Sequence, residues 1–400
     1  MKPTFRLPFL FSLTIFFNTS VYSQWEQQTS PTGAKLEALY FIDALVGFTS
    51  SSNVSQMYKT INGGQTWTAI GNYPARDIHF VDATNGFASA AAGSPNGTMK
   101  KTTNGGATWS QITPPNSSAY LGVFATSSTS VYFINTEDKV IRTTNGGASV
   151  SSYTLPLTTP SSQSLTDIHF PTATTGFVSA QGGQIFRTTN SGSLWTGVTT
   201  NTTTSLNSIY FVSSTLGYAA GNSGRVLKTT DGGTTWVDKS LGVNSSINAI
   251  RFYDANNGLA VCLSGKIYRT NNGGDSWIEQ ASGTTNHLYN VFYLSATSAV
   301  IVGDNGTILK NVNVLASAEF QHESPFVLFP NPTNNTLNIS TKNDTQFASI
   351  KIYNTIGQLV ISTQNAKEIS SIDVSQLTAG TYFVEVVSDQ GNSNSKFIKQ

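Results

Sequence analysis

The sequence predicts an all-β protein: a seven-bladed β-propeller closed by an N-terminal strand, followed by a small Ig-like antiparallel β-sandwich. Three observations predict it. First, "KTTNGGATW" (Lys101 to Trp109) recurs along the chain, with Asn or Asp at positions 62, 104, 145, 190, 231 and 272, spaced 42, 41, 45, 41 and 41 residues apart. A fixed period in this range marks a solenoid, propeller or array. Second, each period holds short β-branched or aromatic runs bounded by Gly, Asn or Ser, which read as strands. Third, the last period lacks its final piece, and an orphan copy of that piece lies near the start of the chain.

The chain opens as an address. Lys2 and Arg6 precede an apolar run from Leu7 to Phe17, and "VYS" ends at Ser23. This is a secretory signal peptide over residues 1–23, with cleavage between Ser23 and Gln24, and it is too short to span a bilayer. No later segment is apolar enough to cross a membrane as a helix.

Residues 24–315 carry the repeats. First strands read "LTDIHF", "LNSIYF" and "INAIRF", second strands "TGFVSA", "LGYAAG" and "NGLAVC", third strands "GQIFRT", "GRVLKT" and "GKIYRT". A fourth follows each box tryptophan, as in "WSQI" and "WVDK". Four short strands per period describe one propeller blade. In the seventh period "LYNVFY", "SAVIVG" and "GTILKN" supply only three, and no Gly-Gly turn or tryptophan follows Lys310. "WEQQ", from Trp25 to Gln28, matches the missing fourth strand. Trp25 is therefore expected to be a buried clasp that closes the ring and removes its exposed edges.

The recurring box is a structural turn in its residue types. Asn62, Asn104, Asn145, Asn190, Asp231 and Asn272 can bond back to following amides, and the Gly pair permits positive φ. Trp67, Trp109, Trp195, Trp236 and Trp277 are bulky enough to pack between blades. Val150 and Ser191 are worn positions. A phosphate loop would need a helix after it and a Lys-Ser/Thr pair, and neither is present. The cation before each box recurs in all seven copies (Lys59, Lys101, Arg142, Arg187, Lys228, Arg269, Lys310), so it serves every blade alike.

These boxes resemble the Asp-box of bacterial neuraminidase repeats, and the whole blade resembles the photosystem II stability and assembly factor-like propellers. That resemblance implies a hairpin between third and fourth strands, away from the ligand face, and partner binding by the propeller. It does not bring photosystem chemistry with it.

After a linker at 316–325, residues 326–400 alternate as a small β-sandwich, for example at Ile350 and Ile352 and at Tyr382, Val384 and Val386. Pro330-Asn331-Pro332, "IYNTIGQLV" with Gly357, "LTAGTYFVEV" with Gly380, and Lys396 to Lys399 resemble the type A C-terminal sorting domain of type IX (Por) secretion. The resemblance implies the translocon as partner and a secreted or outer-surface protein of a Gram-negative bacterium, reached through the periplasm.

Composition narrows the function. The net charge of +1 gives no field for nucleic acid, and charged residues make up 11%, against ~25% in ordinary soluble domains. The single Cys262 excludes an internal disulfide and a cysteine metal cluster. No cofactor is expected. Two positions break the repeat: Asp77-Ile78-His79 and Asp167-Ile168-His169 occupy equivalent places in blades two and four. Asp and His at i and i+2 share one strand face, and each pair could offer an O and an N to a metal or form an acid–base pair. The plainer reading is that they satisfy each other or nearby backbone groups. Ligand-face candidates are Arg76, Asp77, His79, Asp167, His169, Tyr210, Arg225 and Arg251. A sialidase-like hydrolase needs an arginine trio, for which only Arg76, Arg225 and Arg251 remain, with no nucleophile motif. A xyloglucanase-like enzyme needs two carboxylates, for which Asp77 and Asp167 are the weak catalytic candidates. The leading expectation is non-catalytic binding of a protein or polysaccharide, ahead of a glycosidase or a passive surface component.

Overall fold

A computed structural model describes residues 25–51, 53–90, 99–116, 118–157, 165–311, 326–341, 347–354, 358–364, 370–388 and 391–400. The expected signal peptide with Ser23 and Gln24, the expected linker and Gly357 lie outside the described residues. The chain forms two compact units, divided between residues 315 and 316.

In the first unit, the described residues build seven four-stranded antiparallel sheets. Their first strands are Ala38–Phe41, Ala75–Phe80, Tyr120–Ala125, Leu165–His169, Leu206–Phe211, Ile247–Phe252 and Leu288–Ser295. Each first strand packs against the next, and the seventh returns to the first, so the blades form a ring around a central channel. Second strands such as Gly176–Ala180 and Gly258–Cys262 are buried along their whole length. A strand covered on both faces by neighbouring blades has no room for large polar groups, hence its small residues. Cys262 is one of these, and burial pushes its thiol up to about 12.

Six blades are continuous in sequence. The seventh takes its fourth strand from the other end of the chain: Glu26–Gln27 pairs with Ile308–Asn311, Glu26 opposite Lys310 and Gln27 opposite Leu309. Trp25 is 2% exposed and sits among Leu259 and Ile267 of blade six and Leu288 and Val291 of blade seven. Its indole Nε1 donates to Gln280 Oε1 at 3.2 Å. The clasp therefore holds two blades, not one.

The boxes are hairpins between third and fourth strands. In the second, the Thr102 hydroxyl accepts from Gly106 N at 2.9 Å, and Asn104 Oδ1 accepts from Thr108 N at 2.9 Å. Gly105 and Gly106 have φ of 64° and 76°, where a side chain is strained. Trp109 meets Phe48 of blade one and Phe80 of its own blade edge-on. Where Val150 replaces this tryptophan, Ala125 replaces the phenylalanine beneath it, so the two losses are coupled.

The repeated cations join blades. Lys59 Nζ donates to Gly105 O (2.9 Å), Lys101 to Gly146 O (2.8 Å), Lys228 to Gly273 O (2.7 Å) and Lys310 to Gly63 O (2.7 Å). Arg142 reaches Ser193 Oγ at 2.9 Å. Each bond runs from one blade to the box of the next, and Lys310 carries the chain of contacts across the closure.

The second unit pairs a three-stranded sheet (Phe326–Phe329, Thr336–Thr341, Ser371–Asp373) with a four-stranded one. In the latter, Leu359–Gln364, Phe347–Asn354, Gly380–Ser388 and Gly391–Lys399 lie in that order. One core joins them, with Leu337, Ile350, Ile352, Val374, Val384 and Phe397 buried. Asn331 fastens the last strand: its Nδ2 donates to Lys396 O (3.1 Å) and its Oδ1 accepts from Ile398 N (2.9 Å). The prolines on either side fix φ and hold this asparagine in place.

Candidate binding site at the channel mouth

The seven first strands line the channel, and their side chains are the ones a ligand there would meet. In six blades the register shifts near the start of this strand, for example between Ala75 and Asp77 and between Leu165 and Asp167. Such a bulge re-aims a side chain. Two consecutive residues, such as Arg76 and Asp77, therefore line the same cavity.

The channel is tiered as a result. At the mouth stand Glu37, Arg76, Leu121, Thr166, Asn207, Asn248 and Tyr289, one from each blade, around a bowl of about 310 Å³. The next tier includes Asp77, Asp167, Ser208 and Asn290. Below it, Tyr40, His79, Phe124, His169, Tyr210, Arg251 and Phe292 line a second cavity of about 330 Å³. Asp77, Asp167 and Arg251 border both cavities and form the waist between them. Neighbouring rings of the lower tier lie close: Phe292 to Tyr40 at 5.3 Å, Tyr40 to His79 at 5.3 Å, His79 to Phe124 at 4.2 Å, Phe124 to His169 at 4.9 Å and His169 to Tyr210 at 5.0 Å. The Arg251 guanidinium sits 5.4 Å over Tyr210.

Both Asp-Ile-His copies reach across to the following blade. Asp77 Oδ2 accepts from Val123 N (2.9 Å) and His79 Nδ1 from Ala125 N (3.4 Å). Asp167 Oδ2 accepts from Ile209 N (2.9 Å) and Ser208 Oγ (3.0 Å), and His169 Nδ1 from Phe211 N (3.1 Å). An imidazole nitrogen that accepts an amide is unprotonated, so both rings are neutral with the proton on Nε2. Burial, aided by the Arg251 charge, lowers His79 to about 4 and holds His169 well below its ordinary value. Burial also raises both carboxyls. Asp77 is pushed up to about 7, with the Asp167 charge adding to the effect. At Asp167 the Arg251 guanidinium opposes the rise.

Of the ligand-face candidates, Arg76, Asp77, Asp167 and Arg251 meet at the bowl, while His79, His169 and Tyr210 lie in the cavity beneath it. Arg225 does not join them: its guanidinium pairs with Asp238 on the outer strand of its own blade. The arginine trio that a sialidase needs is thus not gathered at the mouth. Glu37, Thr166, Asn207, Asn248 and Tyr289 went unnoticed in the sequence. Their only signal is that each immediately precedes the channel position of its repeat, and the bulge that accompanies Thr166, Asn207, Asn248 and Tyr289 leaves no mark in composition. Among the described residues, no group of three or more His, Cys, Asp or Glu side chains is placed to hold a metal ion. No helix there is long and apolar enough to cross a membrane.

Residues 327–400 match the secretion system C-terminal sorting domain. The tail is a type IX sorting domain. This sorting domain marks the chain for type IX secretion. No curated protein matches the chain in sequence. Among solved structures, YCF48 bound to D1 peptide superposes with a TM-score of 0.61 at 19% identity, covering 73% of this chain and 96% of that one. Virginiamycin B lyase from Staphylococcus aureus gives 0.61 at 13%, covering 72% and 98%. PorZ, a bacterial surface component of the type IX secretion system of Porphyromonas gingivalis, gives 0.53 at 12%, covering 94% of this chain and 59% of that one. At these identities the likeness is one of fold, a β-propeller that hosts a peptide binder in one case and a lyase in another.

Proposed function

We propose that the sorting domain exports a non-catalytic binding propeller, which engages an extracellular protein or polysaccharide at the mouth of its channel. The observation that carries this reading is where the chemistry of the channel goes. Asp77, His79, Asp167 and His169 are each hydrogen-bonded to a main-chain amide of the next blade. Groups fixed in this way hold blades together and are not poised as free acid and base. The mouth above them is polar, with hydroxyls, amides and opposite charges side by side, which suits a wet contact.

One observation favours a second reading, a glycoside hydrolase. A carboxyl raised to about 7 beside another carboxyl in one channel has the ionisation that a general acid needs. The two separate cleanly. The full-length secreted chain is incubated with a glycan array, with wild type compared to Asp77→Asn and Asp167→Asn. Saturable retention without product release supports binding. Product release lost in Asp77→Asn identifies the hydrolase, and silence in both assays leaves a passive surface component. Deleting residues 327–400 is expected to stop export of the propeller; its unimpaired appearance outside the cell would sever the tail from its role.

A further inference from the structure

The bowl combines fixed donors, fixed acceptors and balanced charge. Arg76 and Arg251 supply donors on one side and the other, and Glu37, Asp77 and Asp167 supply acceptors between them. Glu37 pairs with Lys35 at 2.6 Å and has Arg76 at 3.9 Å, and Arg251 lies 3.9 Å from Asp167, so each charge is partly answered at the mouth. Asn207 and Asn248 each donate through Nδ2 to a main-chain carbonyl of the next blade, at 2.8 Å to Ile247 and 2.6 Å to Leu288. With Nδ2 so engaged, the side-chain carbonyl oxygens remain as acceptors on the wall, and no donor among the described residues meets them.

A ligand that matches this wall must both donate and accept at short intervals. Hydroxyl groups do this, because each carries one proton and two lone pairs. An anionic unit would be opposed by Glu37 and Asp167, and a cationic one by Arg76 and Arg251. Beneath the polar wall the lining turns aromatic, with Tyr40, Phe124 and Tyr210 in the cavity below the waist. A pyranose has the same duality, hydroxyls around its rim and C–H groups on its faces. The volume of about 310 Å³ is near the lower end of small-molecule pockets, ~300–1,000 Å³, which fits one sugar unit better than a folded loop.

We infer that the bowl takes a terminal neutral sugar unit of an extracellular polysaccharide. The inference rests on the mouth being the binding surface, and it narrows the partner to the carbohydrate class. The test is saturation-transfer NMR on the full-length secreted chain with free neutral aldohexoses and 6-deoxyhexoses. The matching uronic acids and 2-amino sugars serve as charged comparisons. A neutral sugar is expected to bind saturably, with both charged counterparts at least about ten-fold weaker. Arg76→Gln, whose side chain has Glu37 at 3.9 Å as its ion-pair partner, is expected to weaken binding about ten-fold, the effect of one charge-assisted hydrogen bond. Leu121→Trp, which fills the bowl from its rim, is expected to abolish binding while leaving the melting temperature within a few degrees. Absence of binding by every free sugar, or tighter binding of a uronic acid, overturns the inference. Glycan-array retention that persists in Leu121→Trp also overturns it, yet leaves non-catalytic binding by another surface standing.

Discussion

Blades two and four carry the same tripeptide, Asp-Ile-His, and do not hold its charge alike. Each aspartate accepts the amide of its own isoleucine, Ile78 or Ile168, and one amide from the next blade. What differs is the blade beyond. Blade three offers Gly122 at the facing position, whereas blade five offers Ser208, whose hydroxyl donates to Asp167 at 3.0 Å. Arg251 then lies 3.9 Å from Asp167. The neighbour's side chain, not the motif, decides how much of a buried carboxylate's charge is compensated. Identical sequence words have different ionisation because the stabilising groups lie more than forty residues away.

The largest expected effect should leave this contrast untouched. Trp25→Ala removes a side chain buried between blades six and seven and is expected to cost ~3–5 kcal/mol, read from the urea midpoint of the full chain. Both copies depend on a closed ring, so an unchanged midpoint would remove Trp25 as the clasp. Next comes a direct contrast between the copies. Asp167→Ala deprives three donors of an acceptor and removes the carboxylate 3.9 Å from Arg251, for ~3–5 kcal/mol. Asp77→Ala strands two amides, for ~1–3 kcal/mol. Equal losses would break the comparison.

The pH dependence sharpens it further. Burial pushes Asp77 up to about 7 in the fold from its ordinary 3.8. Between those limits the unfolded chain holds fewer protons, so this group makes stability fall as pH rises from about 4 to about 7. Burial lowers His79 to about 4 from its ordinary 6.5. There the unfolded chain holds more protons, and stability rises over nearly the same window. The two slopes oppose each other within one blade. His169 adds a second slope of the same sign as that of His79, so Asp77→Asn is expected to lose more stability than wild type as pH falls from about 6.5 to about 4. Parallel profiles for the two proteins would show that Asp77 is ionised throughout.

The smallest expected effect is the most specific. Gly122→Ser places in blade three the hydroxyl that blade five already has. An added Cβ there would lie 3.2 Å from Ile134 and 3.5 Å from Ile168, so the buried Ile134 side chain must give by a few tenths of an ångström. The Asp77 midpoint is expected to fall by roughly one pH unit, about 1.4 kcal/mol of differential stabilisation, followed by carboxyl carbon NMR. No movement would mean that the facing hydroxyl is not what separates the copies.

Much of the architecture is local information, and the sequence carried it. Four strands per period, the turn residues of each box and the displaced "WEQQ" depend on propensity and spacing, which a linear chain displays directly. The sorting tail is legible for the same reason, since Pro330-Asn331-Pro332 and the hairpin opening at Gly380 are continuous words. Only the tertiary structure decided what the channel presents. Whether Asn207 or Asn248 faces the bowl depends on a one-residue register shift, and alternation alone would have turned them away. Whether Lys59 or Lys228 touches a ligand or a neighbouring turn depends on a carbonyl of the next blade, some 46 or 45 residues on. Side-chain direction and long-range partners are set when the ring closes, because closure fixes which blade lies beside which.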